Sequence, residues 1–305
     1  MKFGTSLPLG KISPAREFQS LEAVKEIAAA LESAGVAGAS LTDHPAPASE
    51  WLHSDPAAHD SLDPFTGLAF IAAHTQRTRL VTNIVVLPYR NPFLTSKIAS
   101  TLQVLSNGRL IMGVGVGYQK REFAALGVPF DRRGPLTDEA LETIRAIWKG
   151  GAIDAKGTSF DAAQVEPRPV PYPAPPIWVG GGSDLALRRA ARWGDGWIPY
   201  FSTPTDDAIV SASSISSYHS FAEKIARLKD LRGQFRVTGT FDIAVVAPFR
   251  PRRLGEVSAD QYLQFIGSVK DCGASWVWTL LPSPSRAGFV ESIAWYGEEV
   301  IAKSG

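Results

Sequence analysis

Short apolar strands and amphipathic helices alternate along the whole chain, and this alternation constrains the fold more than any other feature. Residues 79–87, with the sequence RLVTNIVVL, have the β-branched composition of a strand buried on both faces. Residues 92–105 follow with helical periodicity, and Asn107-Gly108 ends that helix. About eight such strand–helix units occur, which predicts an α/β fold, a closed parallel (β/α)8 TIM barrel, rather than a doubly wound sheet.

The predicted elements follow one another at short intervals. The predicted strands are 2–7, 39–42, 79–87, 109–114, 177–179, 196–199, 237–247 and 276–280. The predicted helices are 18–33, 64–75, 92–105, 136–148, 184–193, one or more within 206–232, 259–272 and 285–302, with a hairpin across 152–163. Because the alternation continues on both sides of the irregular stretches, residues 1–305 are predicted to form a single domain with insertions near 45–61 and 151–176.

Composition excludes several classes of function. The chain has 31 Lys+Arg against 30 Asp+Glu, a formal net charge of +1, so no electrostatic feature favours nucleic acid or an anionic membrane. No apolar run approaches the ~20 residues of a membrane helix, and the opening MKFGTSLP lacks a secretory signal pattern. The single cysteine, Cys272, excludes an intramolecular disulfide and a multi-cysteine zinc site. We expect a cytoplasmic protein.

Residues that follow the strands are the candidates for chemistry, because active sites of such barrels lie at the carboxyl ends of the strands. Asp43-His44 follows the second strand and offers an anionic acceptor beside a group that titrates near neutral pH. A helix cap and a surface histidine fit this pair equally well. After the fourth strand, the run Gly113-Val114-Gly115-Val116-Gly117 lacks the third glycine of a dinucleotide fingerprint, and it is typical of a turn that faces a ligand.

The most informative local motif is Gly180-Gly181-Gly182-Ser183, which joins a strand directly to a helix. A glycine turn at a helix start presents backbone N–H groups and the positive end of the helix dipole, and Ser183 adds a hydroxyl or caps the helix. The motif predicts a phosphate site, and no Gly-Lys-Ser/Thr follows to make it a Walker loop. The five histidines show no metal-ligand spacing, so no metal is predicted.

These motifs, in this order, resemble the bacterial luciferase-like family of flavin- and deazaflavin-dependent oxidoreductases. The similarity extends over almost the whole chain, and the matching segments are FGTSLP, Ser40–His44 (SLTDH), Asp63-Pro64-Phe65, TNIVVLPYRNP, SNGRLIMGVGVGY, PPIWVGGGS and GDGW. The resemblance implies a barrel that holds the flavin or deazaflavin at the carboxyl ends of its strands.

The resemblance also implies where the cofactor would lie. In deazaflavin-using members a bulge with a non-prolyl cis peptide on the third strand backs the ring, and it maps to Asn83–Ile84. The phosphate would lie on Gly180, Gly181, Gly182 and Ser183. The ring and ribityl chain would be lined by Asp43, His44, Thr82, Gly115, Val116 and Gly117.

The segments LPYRNP and GVGVGY are most similar to the corresponding segments of the branch that uses coenzyme F420. That similarity implies hydride transfer between the deazaflavin and an unidentified small organic substrate. His44 would protonate or orient the substrate, and Glu122 is a second candidate acid, although a solvated helix position also fits Glu122. Loop 45–61 would be the substrate lid, carrying Trp51 and His53, while solvated loop positions for His53 and His59 fit as well. No pocket for a sugar phosphate is evident.

Three alternatives remain open at this point. The first is an FMN-dependent two-component monooxygenase that receives reduced flavin from a partner flavin reductase. The second is a catalytically inactive flavin-binding barrel, which the retention of Asp43-His44 and the glycine turn disfavours. A carboxylate-using hydrolase would need paired acids, and only Asp43 and Asp195 are candidates. Family members are commonly homodimers through helices near the second to fourth strands, and we expect the same here.

Overall fold

Eight parallel strands close into a barrel in the computed structural model, which describes residues 1–11, 16–54, 60–201 and 215–305. In chain order the strands are β1 (Lys2–Ser6), β2 (Gly38–Leu41), β3 (Arg79–Val86), β4 (Leu110–Gly115), β5 (Ile153–Lys156), β6 (Asp161–Val165), β7 (Ile177–Gly180), β8 (Gly196–Ile198), β9 (Asp242–Val246) and β10 (Trp276–Thr279). Around the barrel the order is β1, β2, β3, β4, β7, β8, β9 and β10, and β10 pairs with β1, while β5 and β6 form a separate sheet. The predicted (β/α)8 barrel is confirmed.

Helices lie between successive strands of the barrel. They are α1 (Leu21–Ser33), α2 (Ser49–Ser54), α3 (Pro64–Ala72), α4 (Pro92–Leu105), α5 (Lys120–Ala125), α6 (Arg133–Ile147), α7 (Asp184–Trp193), α8 (Tyr218–Gln234), α9 (Ala259–Cys272) and α10 (Arg286–Trp295), which continues as a π-helical turn (Tyr296–Ile301). Across the described ranges, no helix combines the length and apolar character that crossing a membrane requires.

Several boundaries differ from those predicted, for local reasons. The first helix begins at Leu21 rather than residue 18, because Ser20 Oγ accepts from Ala23 N at 3.1 Å and caps it. The predicted strand 237–247 narrows to Asp242–Val246, since Gly239 has φ +102°, which interrupts an extended chain. The predicted hairpin is present as β5 (Ile153–Lys156) and antiparallel β6 (Asp161–Val165). Of the predicted 206–232 helical stretch, residues 206–214 lie outside the described residues.

Side chains fill the barrel interior, so the barrel is not a channel and a ligand can bind only at one end of it. Trp178, Trp276 and Trp278 contact one another with ring centroids 5.2–6.4 Å apart. Gly4 on β1 and Gly38 on β2 leave the space that the Trp278 ring occupies. The interior is therefore a packed core, and the carboxyl ends of the strands form the accessible face.

Candidate active site

A buried histidine–glutamate pair lies where β2, β3 and β4 end. His44 follows β2, and its Nδ1 is 3.3 Å from Glu122 Oε2. The Tyr89 hydroxyl, in the turn after β3, donates to the same oxygen at 2.8 Å. The backbone N–H of Ala46 donates to Glu122 Oε1 at 3.0 Å. Both carboxylate oxygens of Glu122 therefore accept hydrogen bonds from segments that are distant in sequence.

Glu122 is fully buried on α5, so its predicted alternative as a solvated helix residue is wrong. Burial alone would raise the pKa of Glu122, but hydrogen bonds from His44, Ala46 and Tyr89 outweigh burial and hold the pKa below its usual value. Burial and the adjacent Glu122 carboxylate raise the pKa of Tyr89. At neutral pH an ionised carboxylate therefore faces a protonated phenol.

The surroundings of His44 indicate which ring nitrogen carries a proton. An ionised Glu122 requires a donor, so we assign the proton to Nδ1, and Nε2 is then the nitrogen that can exchange a proton with a ligand. Gln119 Nε2 lies 3.4 Å from the same Nδ1 but competes weakly, because a charged acceptor forms the stronger hydrogen bond. The imidazole also contacts two aromatic rings, Trp51 with ring centroids 4.9 Å apart and Tyr118 edge to face with centroids 6.0 Å apart.

Asp43 binds the protein's own chain rather than presenting an open carboxylate. Its Oδ1 accepts from Arg90 Nη2 at 2.7 Å, and its Oδ2 accepts from Val86 N at 3.0 Å. Arg90 Nη2 also donates to Asp63 Oδ2 at 3.1 Å. Asp43, predicted to line the cofactor ring, therefore holds the turn that carries Tyr89.

The peptide bond Asn83–Ile84 is cis, and the pairing register of β3 with β4 shifts between Thr82 and Val85. The cis peptide expected from the resemblance is confirmed. The Ile84 side chain fills the space that a side chain at Gly115 would occupy, and a Cβ at Gly180 would lie 3.2 Å from Ile84 Cγ2. The absence of side chains at Gly115 and Gly180 therefore leaves room for Ile84, the bulge residue, at the barrel mouth.

Two polar side chains at the bulge differ in their hydrogen bonding. The Thr82 hydroxyl is buried and donates to Gly113 O at 2.7 Å, so it ties β3 to β4. Asn83 Oδ1 is buried and has no hydrogen-bond partner among the described residues. A buried amide oxygen without a donor is costly, and it fits a bound molecule that would supply an N–H group. Val116 and Gly117, which continue from β4, are half-buried.

The glycine turn after β7 is held in place by hydrogen bonds that its carbonyl oxygens accept. Gly181 has φ +95°, a left-handed conformation that favours glycine. Its carbonyl accepts from Trp197 Nε1 at 2.7 Å, and the Gly182 carbonyl accepts from Lys224 Nζ at 2.7 Å. Ser183 Oγ accepts from Ala186 N at 3.2 Å and caps α7. The positive end of α7, next to a lysine, suits an anion.

The predicted lid residues have different positions. Helix α2 carries Trp51 against His44, while His53 is exposed and its Nδ1 lies 2.7 Å from Ser49 O on the same helix. His59 lies outside the described residues. The segment before α2 contacts the segment around α5, since Gln119 Oε1 accepts from Ala48 N at 3.3 Å.

Asp195 does not contribute a second acid to this site. It lies at the start of β8, where its carboxylate accepts from Arg145 at 2.6 Å and from Ile177 N at 2.9 Å. Asp43 follows the carboxyl end of β2, at the opposite end of the barrel. The structure therefore provides no pair of acids from Asp43 and Asp195, as a carboxylate-using hydrolase would need.

The sequence alone indicates no role for Tyr89, Arg90, Gln119 or Lys224. Tyr89 and Arg90 lie in the quoted LPYRNP segment, directly after the third strand, and that position is the signal that could have identified them. Lys224 belongs to α8, and nothing local in the sequence indicates that it reaches the Gly182 carbonyl.

A family model described as luciferase-like monooxygenase matches residues 1–270. An uncharacterized protein of Mycobacterium tuberculosis is 33% identical over 186 residues, which are 61% of this chain and 59% of that protein. A Nocardia farcinica protein named F420-dependent glucose-6-phosphate dehydrogenase is 32% identical over 197 residues, 63% of this chain and 56% of that protein. The matched region thus spans less than two thirds of either relative.

Solved structures share the fold along the whole chain. An F420-dependent secondary alcohol dehydrogenase in complex with an F420–acetone adduct superposes with a TM-score of 0.76 at 16% identity, covering 99% of this chain and 98% of the other. The oxygenating constituent of 3,6-diketocamphane monooxygenase from Pseudomonas putida, in complex with FMN, gives 0.70 at 16% identity, covering 99% of both. At these identities the likeness establishes the barrel architecture.

Proposed function

The chain belongs to the luciferase-like monooxygenase family, and within that family we propose that it transfers a hydride between coenzyme F420 and a small organic substrate. The observation that carries this proposal is the buried His44–Glu122 pair at the barrel mouth. Interconversion of an alcohol and a carbonyl by hydride transfer needs a group that exchanges a proton with the oxygen, and a carboxylate-oriented histidine is suited to this. The relative named as F420-dependent supports the same cofactor.

The residues present fit such a cofactor. The turn Gly180–Ser183 with the start of α7 would hold the phosphate, and Lys224 adds a positive charge beside it. Ile84, at the bulge, would back the ring, and Asn83 Oδ1 would accept from it. When bound, the deazaflavin supplies or accepts the hydride at C5.

The protein's own residues manage the proton. In the oxidative direction, as hydride leaves the substrate carbon, His44 Nε2 takes the hydroxyl proton and the imidazole becomes a cation. Glu122, ionised and 3.3 Å from Nδ1, stabilises that cation. The rings of Trp51 and Tyr118 pack against the imidazole. In the reductive direction, the same Nε2 returns the proton.

A second candidate function is FMN-dependent oxygenation with reduced flavin delivered by a flavin reductase. The description of the family model and the FMN-bound structural neighbour favour it. The glycine turn suits the phosphate of either cofactor, so cofactor identity decides between them. An inactive flavin-binding barrel is disfavoured, because the His44–Glu122 pair and the glycine turn are both present.

We also propose that the protein is a homodimer through α3 and α4. Leu94, Ile98 and Leu105 lie on α4 with exposed fractions of 65%, 41% and 76%, and Phe70 on neighbouring α3 is 47% exposed. Apolar side chains in a contiguous exposed patch commonly mark an interface. We further propose a cytoplasmic location for the protein and a single domain over residues 1–305. Size-exclusion chromatography with light scattering, applied to the parent and to Leu105→Glu, tests the dimer. We expect a dimeric parent and a weakened dimer in the variant. A parent that elutes as a monomer contradicts the proposal.

The cofactor proposal is tested by titrating the purified protein with F420 and, separately, with FMN, and following fluorescence. We expect micromolar binding of F420 and at least tenfold weaker binding of FMN. The reverse preference would replace the proposal with the two-component monooxygenase. Binding of neither would favour the inactive barrel. A screen of secondary alcohols and ketones, with glucose 6-phosphate as a comparison, then seeks the substrate.

A further inference from the structure

Two donors from different segments converge on one oxygen atom of Glu122. The Tyr89 hydroxyl is 2.8 Å from Oε2, and His44 Nδ1 is 3.3 Å from the same atom. The other oxygen, Oε1, accepts from the backbone of Ala46. Because Tyr89 makes the shorter contact, its hydroxyl has the larger influence on where Oε2 lies.

The position of Tyr89 is itself set by its neighbours. Its ring meets Phe123 edge to face with centroids 4.7 Å apart, and Phe123 is fully buried on the helix that carries Glu122. The turn that carries Tyr89 begins after Val86, whose N–H donates to Asp43 at 3.0 Å. Packing on one side and a hydrogen bond on the other therefore aim the hydroxyl at the carboxylate.

We propose that Tyr89 is a positioning residue that acts through Glu122 to orient His44 for proton exchange. The proposal rests on the function proposed above, because it assumes that His44 exchanges a proton with the substrate. In this arrangement Tyr89 does not touch the reacting atoms. Its hydroxyl fixes the rotation of the carboxylate and shares the negative charge of Oε2, which His44 also uses.

Removal of the Tyr89 hydroxyl should raise the pKa of Glu122, its partner in the hydrogen bond. Glu122 loses one of the donors that favour its ionised form, so its pKa rises. Among the residues that the structure describes, the other titratable groups that act here are Asp43, whose charge acts on Tyr89, and Tyr118, whose ring lies beside the imidazole. Both remain in a Tyr89→Phe variant, so the change isolates one hydrogen bond.

The first test is the pH dependence of kcat/KM for Tyr89→Phe in the reductive direction, in which His44 donates the proton, with reduced F420 and the substrate found in the screen. We expect the acidic limb to move to higher pH and kcat to fall about fivefold to tenfold, with KM changed less than twofold. Tyr296→Phe is the matched control. Tyr296 is fully buried, and its hydroxyl lies 2.9 Å from Thr279 Oγ1, a contact made without Glu122. The control should lower the melting temperature and leave the limb in place.

The second test does not need activity. In ¹³C-glutamate-labelled protein, the Glu122 carboxyl resonance is assigned by its absence in Glu122→Gln and followed through a pH titration. A higher midpoint in Tyr89→Phe than in the parent and in Tyr296→Phe supports the proposal, even if F420 proves to be the wrong cofactor. Coincident midpoints, or a kcat loss no greater than that of Tyr296→Phe, overturn it. Failure of F420 to bind would overturn the proposed function instead.

Discussion

Arg90 donates through Nη2 to Asp43 Oδ1 at 2.7 Å and to Asp63 Oδ2 at 3.1 Å, so one guanidinium joins the end of β2 to the start of α3. Asp43 is almost fully buried, whereas the Asp63 side chain is 42% exposed. The two carboxylates share a partner and differ in burial. They therefore form a natural comparison between a buried and a solvated ion pair.

Asp43→Asn should destabilise the protein by about 2 kcal/mol, because it leaves Arg90 without its buried counter-ion. The turn after β3 should loosen as well, lowering kcat about tenfold. Asp63→Asn is the matched control: Asn still caps α3, and the exposed pair contributes less than about 1 kcal/mol. Urea denaturation of both variants measures the difference. Equal destabilisation would show that burial of Asp43 carries no special weight.

His44→Asn should lower kcat by about 10²- to 10³-fold while cofactor affinity changes less than about threefold, since the proton-exchanging nitrogen is lost but the glycine turn is intact. His219→Asn, at an exposed histidine on α8, provides the control and should retain full activity. Steady-state kinetics and cofactor titration of both variants check this. Activity that survives in His44→Asn would remove His44 from the mechanism.

Glu122 should set the acidic limb of the pH profile in the reductive direction, in which His44 must carry the proton that it delivers. Hydrogen bonds outweigh burial and hold its pKa below the usual 4.5, so the ionised form persists at neutral pH and is lost only as pH falls through that lowered pKa. Activity should fall over the same range. Glu122→Gln should abolish this limb and lower kcat about tenfold or more. A limb that remains unchanged in Glu122→Gln would belong to another group.

Gly181→Ala should weaken cofactor binding at least tenfold, because alanine at φ +95° costs about 1–2 kcal/mol and displaces the turn. Gly151→Ala is a matched control: Gly151 has φ +87°, an added Cβ would meet nothing within 4 Å, and it lies in the insertion near β5. The control should show the same conformational cost with unchanged binding. Isothermal titration with the preferred cofactor measures the binding affinity of both variants.

Glu32 should make stability depend on pH. Hydrogen bonds from the backbone of Gln76, Arg77 and Thr78 and from the Thr78 hydroxyl outweigh burial and lower the pKa of Glu32 to about 2. Because the pKa is lower when folded, Glu32 stabilises the fold above the usual value of 4.5, and this contribution disappears as pH falls to about 2. Glu32→Gln should therefore cost about 2 kcal/mol at pH 7 and little at pH 2. Thermal unfolding at both pH values tests this.

Much of the fold could be predicted because its determinants are local. Alternating strands and helices indicated the barrel, and the glycine run ending in Ser183 indicated the capped start of α7. The limits of prediction appeared where tertiary contacts decide. Glu122 fitted a solvated helix surface as well as a catalytic acid until burial was known, and Asp43 turned out to bind Arg90.

The sequence by itself determined the order of elements, the glycine turn and the residues that follow each strand. The tertiary structure alone decided which of those residues meet. Glu122 is 78 residues from His44 and 33 residues from Tyr89, and these side chains contact one another only because β2, β3 and β4 are neighbours in a closed barrel. Propensity and periodicity act over a few residues, whereas the ionised state of Glu122 depends on donors that barrel closure brings together.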